Sequence, residues 1–284
     1  MTVVSVIVVT YRSEETIAGC LRSIPAGNEV IVVDNASDDG TVARSEACGA
    51  TVIVNATNRG FAAAANQGAR HARGDLLLFL NPDAELLGDA LRTLQAGLAA
   101  HDEFVAVGPA SIQSSENALA GLWPFPHAAR TWMNELGLHR VLRPAPPRHG
   151  FVVGTCMLVR RGWFDRLGGF DEAFWLYGED ADFCRRAVAL GGACAVVDGA
   201  AIRHVGGHSA AQSDASFEQF HRGTELFIAK HYGRRSLVSH RVAVLVGSLA
   251  RTVALWPRSR ARSLAFARLA RREAAVLLRR PSTT

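Results

Sequence analysis

Glu179, Asp180 and Asp182 set three carboxylates within four positions, directly after the apolar, glycine-ended loop Phe174-Trp175-Leu176-Tyr177-Gly178. Beyond them Phe183, Cys184, Ala187, Val188 and Leu190 recur at helical spacing until Gly191-Gly192 ends the pattern. The acids therefore fall at or near a helix N-terminus. Acids in a first turn offset the helix dipole, which accounts for one or two of them as caps. Three acids behind aromatic neighbours point further, because an apolar setting raises a carboxyl pKa toward the range useful for proton transfer. General-base chemistry is thus the expectation for this stretch, with capping as the alternative.

Such carboxylates need a frame. Residues 3–9 are a β-branched run of the kind found in parallel strands buried on both faces. Ser13 is placed to cap a helix over roughly 14–24. Further strands are expected over 29–33, 51–54, 75–80 and 104–107, with helices over 62–72 and up to about residue 100. Strands alternating with helices through short loops define an α/β domain with a mostly parallel sheet flanked by helices. A strand over 151–159, two short strands over 193–197 and 201–205, and a closing helix over 213–232 complete the expected domain. Residues 110–150 are irregular, with Trp123-Pro124-Phe125-Pro126, an amphipathic segment over 131–142 and a proline breaker over 144–147. Beside a site, such an insertion is expected to serve as a lid or an acceptor-binding element, a surface loop being the alternative.

In sheets of this class ligands lie beyond the carboxyl ends of the strands. Thr10-Tyr11, Asp34-Asn35, Asn58-Arg59 and Asn81-Pro82-Asp83 all fall there. One such cluster is an ordinary turn; four on one edge form a binding surface. No GxGxxG follows the first strand and no GxxxxGK[ST] occurs, so a dinucleotide oxidoreductase and a P-loop NTPase are poorly supported. An acidic edge without a glycine cradle points to side-chain recognition of a nucleotide's base and ribose, with a metal at its phosphates. The five cysteines are odd in number, scattered and free of CxxC spacing, which favours reduced thiols over a disulfide frame or a zinc site. Residue 3 already begins the first strand, so no signal peptide is expected.

Taken together, 6–11, 32–41 (VVDNASDDGT), 58–61 (NRGF), 80–83 (LNPD), 154–161 (GTCMLVRR), 168–172 (GGFDE), 177–182 (YGEDAD) with Arg185, and 204–209 resemble the inverting glycosyltransferases of family 2, in their order along about residues 3–210. The likeness is to the rhamnosyltransferase-like branch of bacterial cell-envelope glycan synthesis. It implies a GT-A fold over 1–233, with 110–150 as an acceptor-side insertion and 234–284 as a tail. It also implies a nucleotide-diphospho-sugar donor, with L-rhamnose on dTDP as the branch's usual case, and a glycan or polyprenyl-diphosphate-linked sugar as acceptor. Thr10, Tyr11, Asp34 and Asn35 would hold base and ribose, with Asn58, Arg59 and Asn66 nearby. Asp83 corresponds to the last acid of the family's DxD motif and His204 to a second ligand of a divalent cation, Mn²⁺ or Mg²⁺. Asp180 corresponds to the general base, with Glu179 as the reserve base, while Asp182 and Arg185 form a candidate structural pair. The first DxD position is Asn81, which supplies no negative charge, so metal binding is expected to be weaker than with two acids.

The formal charge of +5 divides unevenly. Residues 234–284 hold 12 arginines and one acid, a net of +11; residues 1–233 hold the remaining 19 basic residues against 25 acids, a net of −6. His240, Arg241 and Arg251 interrupt the apolar stretch 236–256, and its longest uncharged run, 242–250, has nine residues against the ~20 needed to span. Beyond Pro257, arginines interleave with Leu264, Phe266, Leu269, Val276, Leu277 and Leu278, a basic amphipathic pattern suited to an anionic leaflet. The alternative is a helical hairpin packed on the core or on a second subunit of a homo-oligomer. The tail lacks an aromatic platform, so nucleic acid is not an expected partner. The expected location is cytoplasmic, peripheral on the inner face of the plasma membrane. Two other functions fit the same edge: a non-catalytic nucleotide-sugar-binding subunit, and a sugar-1-phosphate nucleotidylyltransferase, whose Gly-rich loop is missing.

Overall fold

A computed structural model describes residues 3–114, 122–142, 149–204, 214–256 and 259–278. The element order is β1 (Val4–Thr10), α1 (Ile17–Arg22), β2 (Glu29–Asp34), α2 (Thr41–Ala47), β3 (Thr51–Val54), α3 (Phe61–His71), β4 (Leu76–Leu80), β5 (Ala84–Leu86), α4 (Ala90–Ala99) and β6 (Phe104–Ser114). It continues with α5 (Ala128–Glu135), α6 (His139–Leu142), β7 (Cys156–Arg160), α7 (Arg161–Arg166), α8 (Glu179–Ala189), β8 (Ala193–His204), α9 (Asp214–Leu255) and α10 (Arg260–Leu278). The chain divides into two compact units, Met1–Phe125 with Pro147–Gly223 and Pro126–Pro146 with Thr224–Thr284.

The first unit is built on one sheet in the order β3-β2-β1-β4-β7-β6-β8-β5. Its β3, β2, β1 and β4 neighbours are parallel, as are β6 and β8, while β7 runs antiparallel to both β4 and β6 and β5 antiparallel to β8. Four of the seven pairings are thus parallel, and the sheet is mixed. Alternation along β1 sends side chains to two cores. Val4, Val6 and Val8 pack with Ile17, Cys20 and Leu21 of α1 and with Leu91, Leu94 and Leu98 of α4. Ile7 faces the opposite side, with the alanines of α3, Phe164 of α7 and Phe183 of α8. The small residues of α3 let it lie close on β1; a Cβ at Gly68 would stand 2.6 Å from the Ile7 side chain.

Several expectations shift. Ser13 does not cap α1: its backbone carbonyl accepts from Thr16 and Ile17, its hydroxyl donates to Tyr11, and the helix starts at Ile17. The 151–159 strand contracts to β7, since Phe151 makes only an isolated bridge to Trp123 and residues 154 and 155 turn. The two short strands at 193–205 are one continuous β8 held between β6 and β5, and Asp198-Gly199 lie within it. The strand from Phe104 runs on to Ser114, and β5 and α7 were not anticipated. The closing helix does not stop at Tyr232. It continues to Leu255 across a break at Gly233, whose φ of 77° and ψ of 179° no helix contains. Residues 144–147, 205–209, 213, 257 and 258 lie outside the described residues.

The second unit comprises α5, α6, the remainder of α9 and α10. Its polar contacts include Trp132 Nε1 donating to the Ser239 hydroxyl at 3.1 Å and Ser263 donating to the Thr252 carbonyl at 2.7 Å.

The strand that leads to Asp83 depends on an aromatic cluster. Phe79 of β4 is buried, with its ring 4.8 Å from Phe170 and 5.2 Å from Phe164. Phe79→Ala is expected to cost about 3–5 kcal/mol, measured as the shift in a urea unfolding midpoint with unchanged slope.

Candidate active site

The carboxyl ends of β1, β2 and β3 are fastened to one another by hydrogen bonds that continue past the strands. The Asn35 amide donates to the Thr10 carbonyl and the Asn55 amide to the Asp34 carbonyl, each at 2.8 Å. Asp34 is fully buried and accepts from the hydroxyls of Thr10 (2.8 Å) and Ser37 (2.6 Å) and from the Ser37 backbone N–H (2.8 Å). Asn35 donates to the Gly60 carbonyl and accepts from the Asn55 side chain and the Arg59 backbone N–H. Asn58 accepts from the Gly60 N–H. Thr10, Asp34, Asn35 and Asn58 therefore shape the edge, while Tyr11 and Arg59 stand exposed on it. Asn66 points elsewhere, its side chain clasping both backbone groups of Phe170 and donating to Glu172.

Gly60 closes this edge onto the aromatic loop. Its φ of 81° suits glycine, and a Cβ there would collide with the Trp175 carbonyl, which accepts from the Phe61 N–H at 2.7 Å. The loop then enters α8 through Tyr177 (φ 69°) and Gly178 (φ 94°). A left-handed conformation at a tyrosine is uncommon; here Gly223 of α9 has no Cβ and leaves room for the Tyr177 carbonyl.

All three acids of α8 are in its first turn and all are buried. They do three different things. Asp182 is an ion-paired anchor: its Oδ2 meets Arg186 Nε at 2.7 Å, and Arg186 also donates to the carbonyls of Leu167 and Gly169. The partner is thus Arg186, one position beyond the expected Arg185. Asp180 accepts from the Gly154 backbone N–H at 2.8 Å and the Ala181 N–H at 2.7 Å. Burial pushes its pKa up and those two N–H groups pull it down, with a net rise. Glu179 has an Oε2 with no partner, and burial, then the neighbouring Asp180, hold its pKa well above the glutamate norm.

Asp83 follows β4 and is also buried. Its Oδ1 lies 3.1 Å from His204 Nε2, because β8 pairs antiparallel with β5 and sets His204 opposite Ala84. Two expected cation ligands, 121 residues apart, are therefore adjacent. Their spacing fits shared coordination: cis ligands of an octahedron with bonds near about 2.1 Å stand roughly 3 Å apart. Among the described residues no group of three or more His, Cys, Asp or Glu side chains gathers, and Asp83 and His204 are the two expected ligands that stand together there. Asn81 is half-buried, and its backbone N–H donates to the Thr155 carbonyl at 3.0 Å. Val205 to Ser209 of the expected histidine motif lie outside the described residues.

Gly154 and Thr155 thus hold both halves of the site, one bonded to Asp180 and the other to Asn81. Tyr177 lies in the same place: burial raises its pKa, and the carboxylates of Glu179 and Asp83 raise it further. Neither Gly154 nor Tyr177 was assigned a role from sequence, although both sit inside motifs that were noticed. Asn55 was missed as well; a polar residue directly after a β-branched strand was its only signal.

A model described as Glycosyl transferase family 2 matches residues 5–168, and one described as N-terminal domain of galactosyltransferase matches residues 144–208. The low-salt glycan biosynthesis hexosyltransferase Agl10 of Haloferax volcanii is 28% identical over 208 residues, 68% of this chain and 65% of that protein, so the match spans less than two thirds of that relative. The N-acetylglucosaminyl-diphospho-decaprenol L-rhamnosyltransferase of Mycobacterium tuberculosis is 26% identical over 268 residues, 81% of this chain and 86% of that one. A mannosyltransferase from Pyrobaculum calidifontis, solved in complex with GDP-Man and Mn²⁺, shares the fold at a TM-score of 0.63 with 21% identity, covering 99% of this chain and 81% of its own.

Because Glu179 has a raised folded-state pKa, its contribution to stability is complete below the ordinary value of 4.5 and is lost as pH climbs through the raised value. Glu179→Gln removes that loss. The variant's urea midpoint is expected to gain on wild type steadily as pH rises above 4.5; a constant difference across that window overturns the assignment.

Proposed function

Because the chain belongs to glycosyl transferase family 2, we propose that it transfers a sugar from a nucleotide-diphospho-sugar to a hydroxyl of a glycan or of a polyprenyl-diphosphate-linked sugar, with inversion at the anomeric carbon. The proposed donor is dTDP-L-rhamnose. The likeness to the mycobacterial L-rhamnosyltransferase over 81% of the chain supports that donor, and that relative's name specifies a lipid-diphosphate sugar as acceptor. A cytoplasmic position on the inner face of the plasma membrane fits such an acceptor. The family match sets aside the nucleotidylyltransferase alternative.

The observation that carries this reading is the pair of backbone bonds from Gly154 and Thr155, which set Asp180 beside the strand end bearing Asp83. Asp180 is the proposed general base. Each of its oxygens accepts one backbone N–H, which fixes the carboxylate while leaving a second lone pair on each. Its raised pKa improves proton acceptance from an acceptor hydroxyl as that oxygen attacks. Glu179, held toward its neutral form, keeps the second negative charge away from Asp180. Asp83 and His204 would hold a divalent cation, Mn²⁺ or Mg²⁺, which neutralises charge on the leaving diphosphate when bound. Tyr11 offers an exposed ring for the base and Arg59 an exposed cation near the phosphates.

The test is turnover of nucleotide-sugar with a lipid-diphosphate-sugar acceptor, comparing wild type with Asp180→Asn. Transfer by wild type and a loss of at least ~10²-fold in the variant are expected, with donor binding retained. Donor binding without transfer to any of a panel of acceptors would instead support a non-catalytic nucleotide-sugar-binding subunit. Full activity in the variant would make Asp180 only a helix cap and place the base at Glu179 or elsewhere.

A further inference from the structure

Within the second unit, α9 beyond Gly233 turns several polar side chains inward. His240, Arg241 and Arg251, which interrupt the apolar stretch in sequence, all turn inward. His240 Nδ1 lies 2.8 Å from the Thr131 hydroxyl, Arg241 pairs with Glu225 at 2.8 Å, and Arg251 pairs with Glu135 at 2.6 Å. Ser248, Ser263 and Glu273 are buried as well. The outward face of the same helix is apolar. Val238, Val246, Leu249, Val253 and Trp256 are between 39% and 76% exposed, and at ~100° per residue they fall within an arc of about 80°. The inward face holds an apolar core of its own, with Ala243, Val244, Leu269 and Ala270 buried, so the outward stripe is apolar surface that the unit's own packing leaves uncovered.

Cations mark both ends of the stripe. Arg234 and Arg235 are exposed where α9 resumes after Gly233, and Arg260 at the start of α10 stands 5.7 Å over the Trp256 ring. A lipid leaflet offers the matching order, acyl chains for the stripe and anionic headgroups for its ends. The net +11 of residues 234–284 is complementary to that surface.

We propose that the outward stripe of α9 from Val238 to Trp256 inserts among the acyl chains of an anionic leaflet while the flanking arginines engage its phosphates. Glu218–Leu255 is the one helix among the described residues long and apolar enough to cross a membrane. Its inward side is occupied by polar partners of its own unit, so beyond Gly233 it lies along the leaflet. This differs from the electrostatic adsorption that the arginines of α10 imply, and it extends the lipid-linked-acceptor reading without resting on transfer activity.

The two modes separate in salt. At about 1 M NaCl the Debye length falls to about 3 Å, which releases a protein held by charge alone but not one held by buried apolar surface. The full chain is floated with phosphatidylglycerol–phosphatidylethanolamine vesicles in low and high salt, with neither donor nor acceptor present. Wild type is expected to stay bound in both. Leu249→Asp combined with Val253→Asp is expected to lower high-salt binding at least ~10-fold with an unchanged unfolding midpoint. Complete release of wild type by salt overturns the proposal, as does a vesicle-free dimer that the same substitutions dissociate. A second measurement reads the stripe directly. Cys20, Cys156, Cys184 and Cys194 are buried, so Val253→Cys in a Cys48→Ser background accepts an environment-sensitive fluorophore selectively. A salt-resistant blue shift on adding vesicles is expected; an unchanged spectrum overturns the insertion.

Discussion

Two consecutive backbone groups hold the site together. The Gly154 N–H reaches Asp180 and the Thr155 carbonyl receives Asn81, so the entry to β7 bonds at once to the first turn of α8 and to the end of β4. This is available only because β7 runs against β4. A parallel strand there would bring its other end to this edge, and residues 154–155 would lie at the far side of the sheet. The reversal that makes the sheet mixed is thus what gathers a helix-borne acid and a strand-borne acid on one rim.

Burial and hydrogen bonding then differentiate three carboxylates that share the first turn of α8. Asp182 is ion-paired with Arg186, whose guanidinium simultaneously ties down the carbonyls of Leu167 and Gly169. Asp180 is steadied by two backbone N–H groups against the desolvation that raises it. Glu179 has neither compensation on its free oxygen and is driven furthest toward neutrality. Like charges on adjacent buried residues cannot both be cheaply ionised, so the environment decides which one works as a base.

How much of this was legible follows the physics of each signal. The β-branched runs and the alternation of strand and helix are local patterns, and they carried the α/β architecture and the polar edge. The likeness carried Asp83 and His204 as a pair, and the 3.1 Å between them is a matter of strand register no spacing displays. Arg185 and Arg186 are both helical neighbours of Asp182, at i+3 and i+4, so sequence had no means of choosing between them. The hydrogen-bonding of Asn35, Asn55 and Asp34 joins three strand ends and was invisible for the same reason. In the tail, counting charges along the chain concealed that two of them, Arg241 and Arg251, face inward, because linear order records no orientation.

The register of β8 acts as a ruler. His204 meets Asp83 because the last stretch of β8, Ala201–His204, is pinned residue by residue by β6 on one side and β5 on the other. Side chains alternate faces along it, so deleting or adding one residue within Ala201–His204 would turn the imidazole to the opposite side of the sheet. Upstream the strand already shifts register against β6, between Val197 and Ala201. A change of length is therefore absorbed in that irregular part of the strand and excluded from its last four residues.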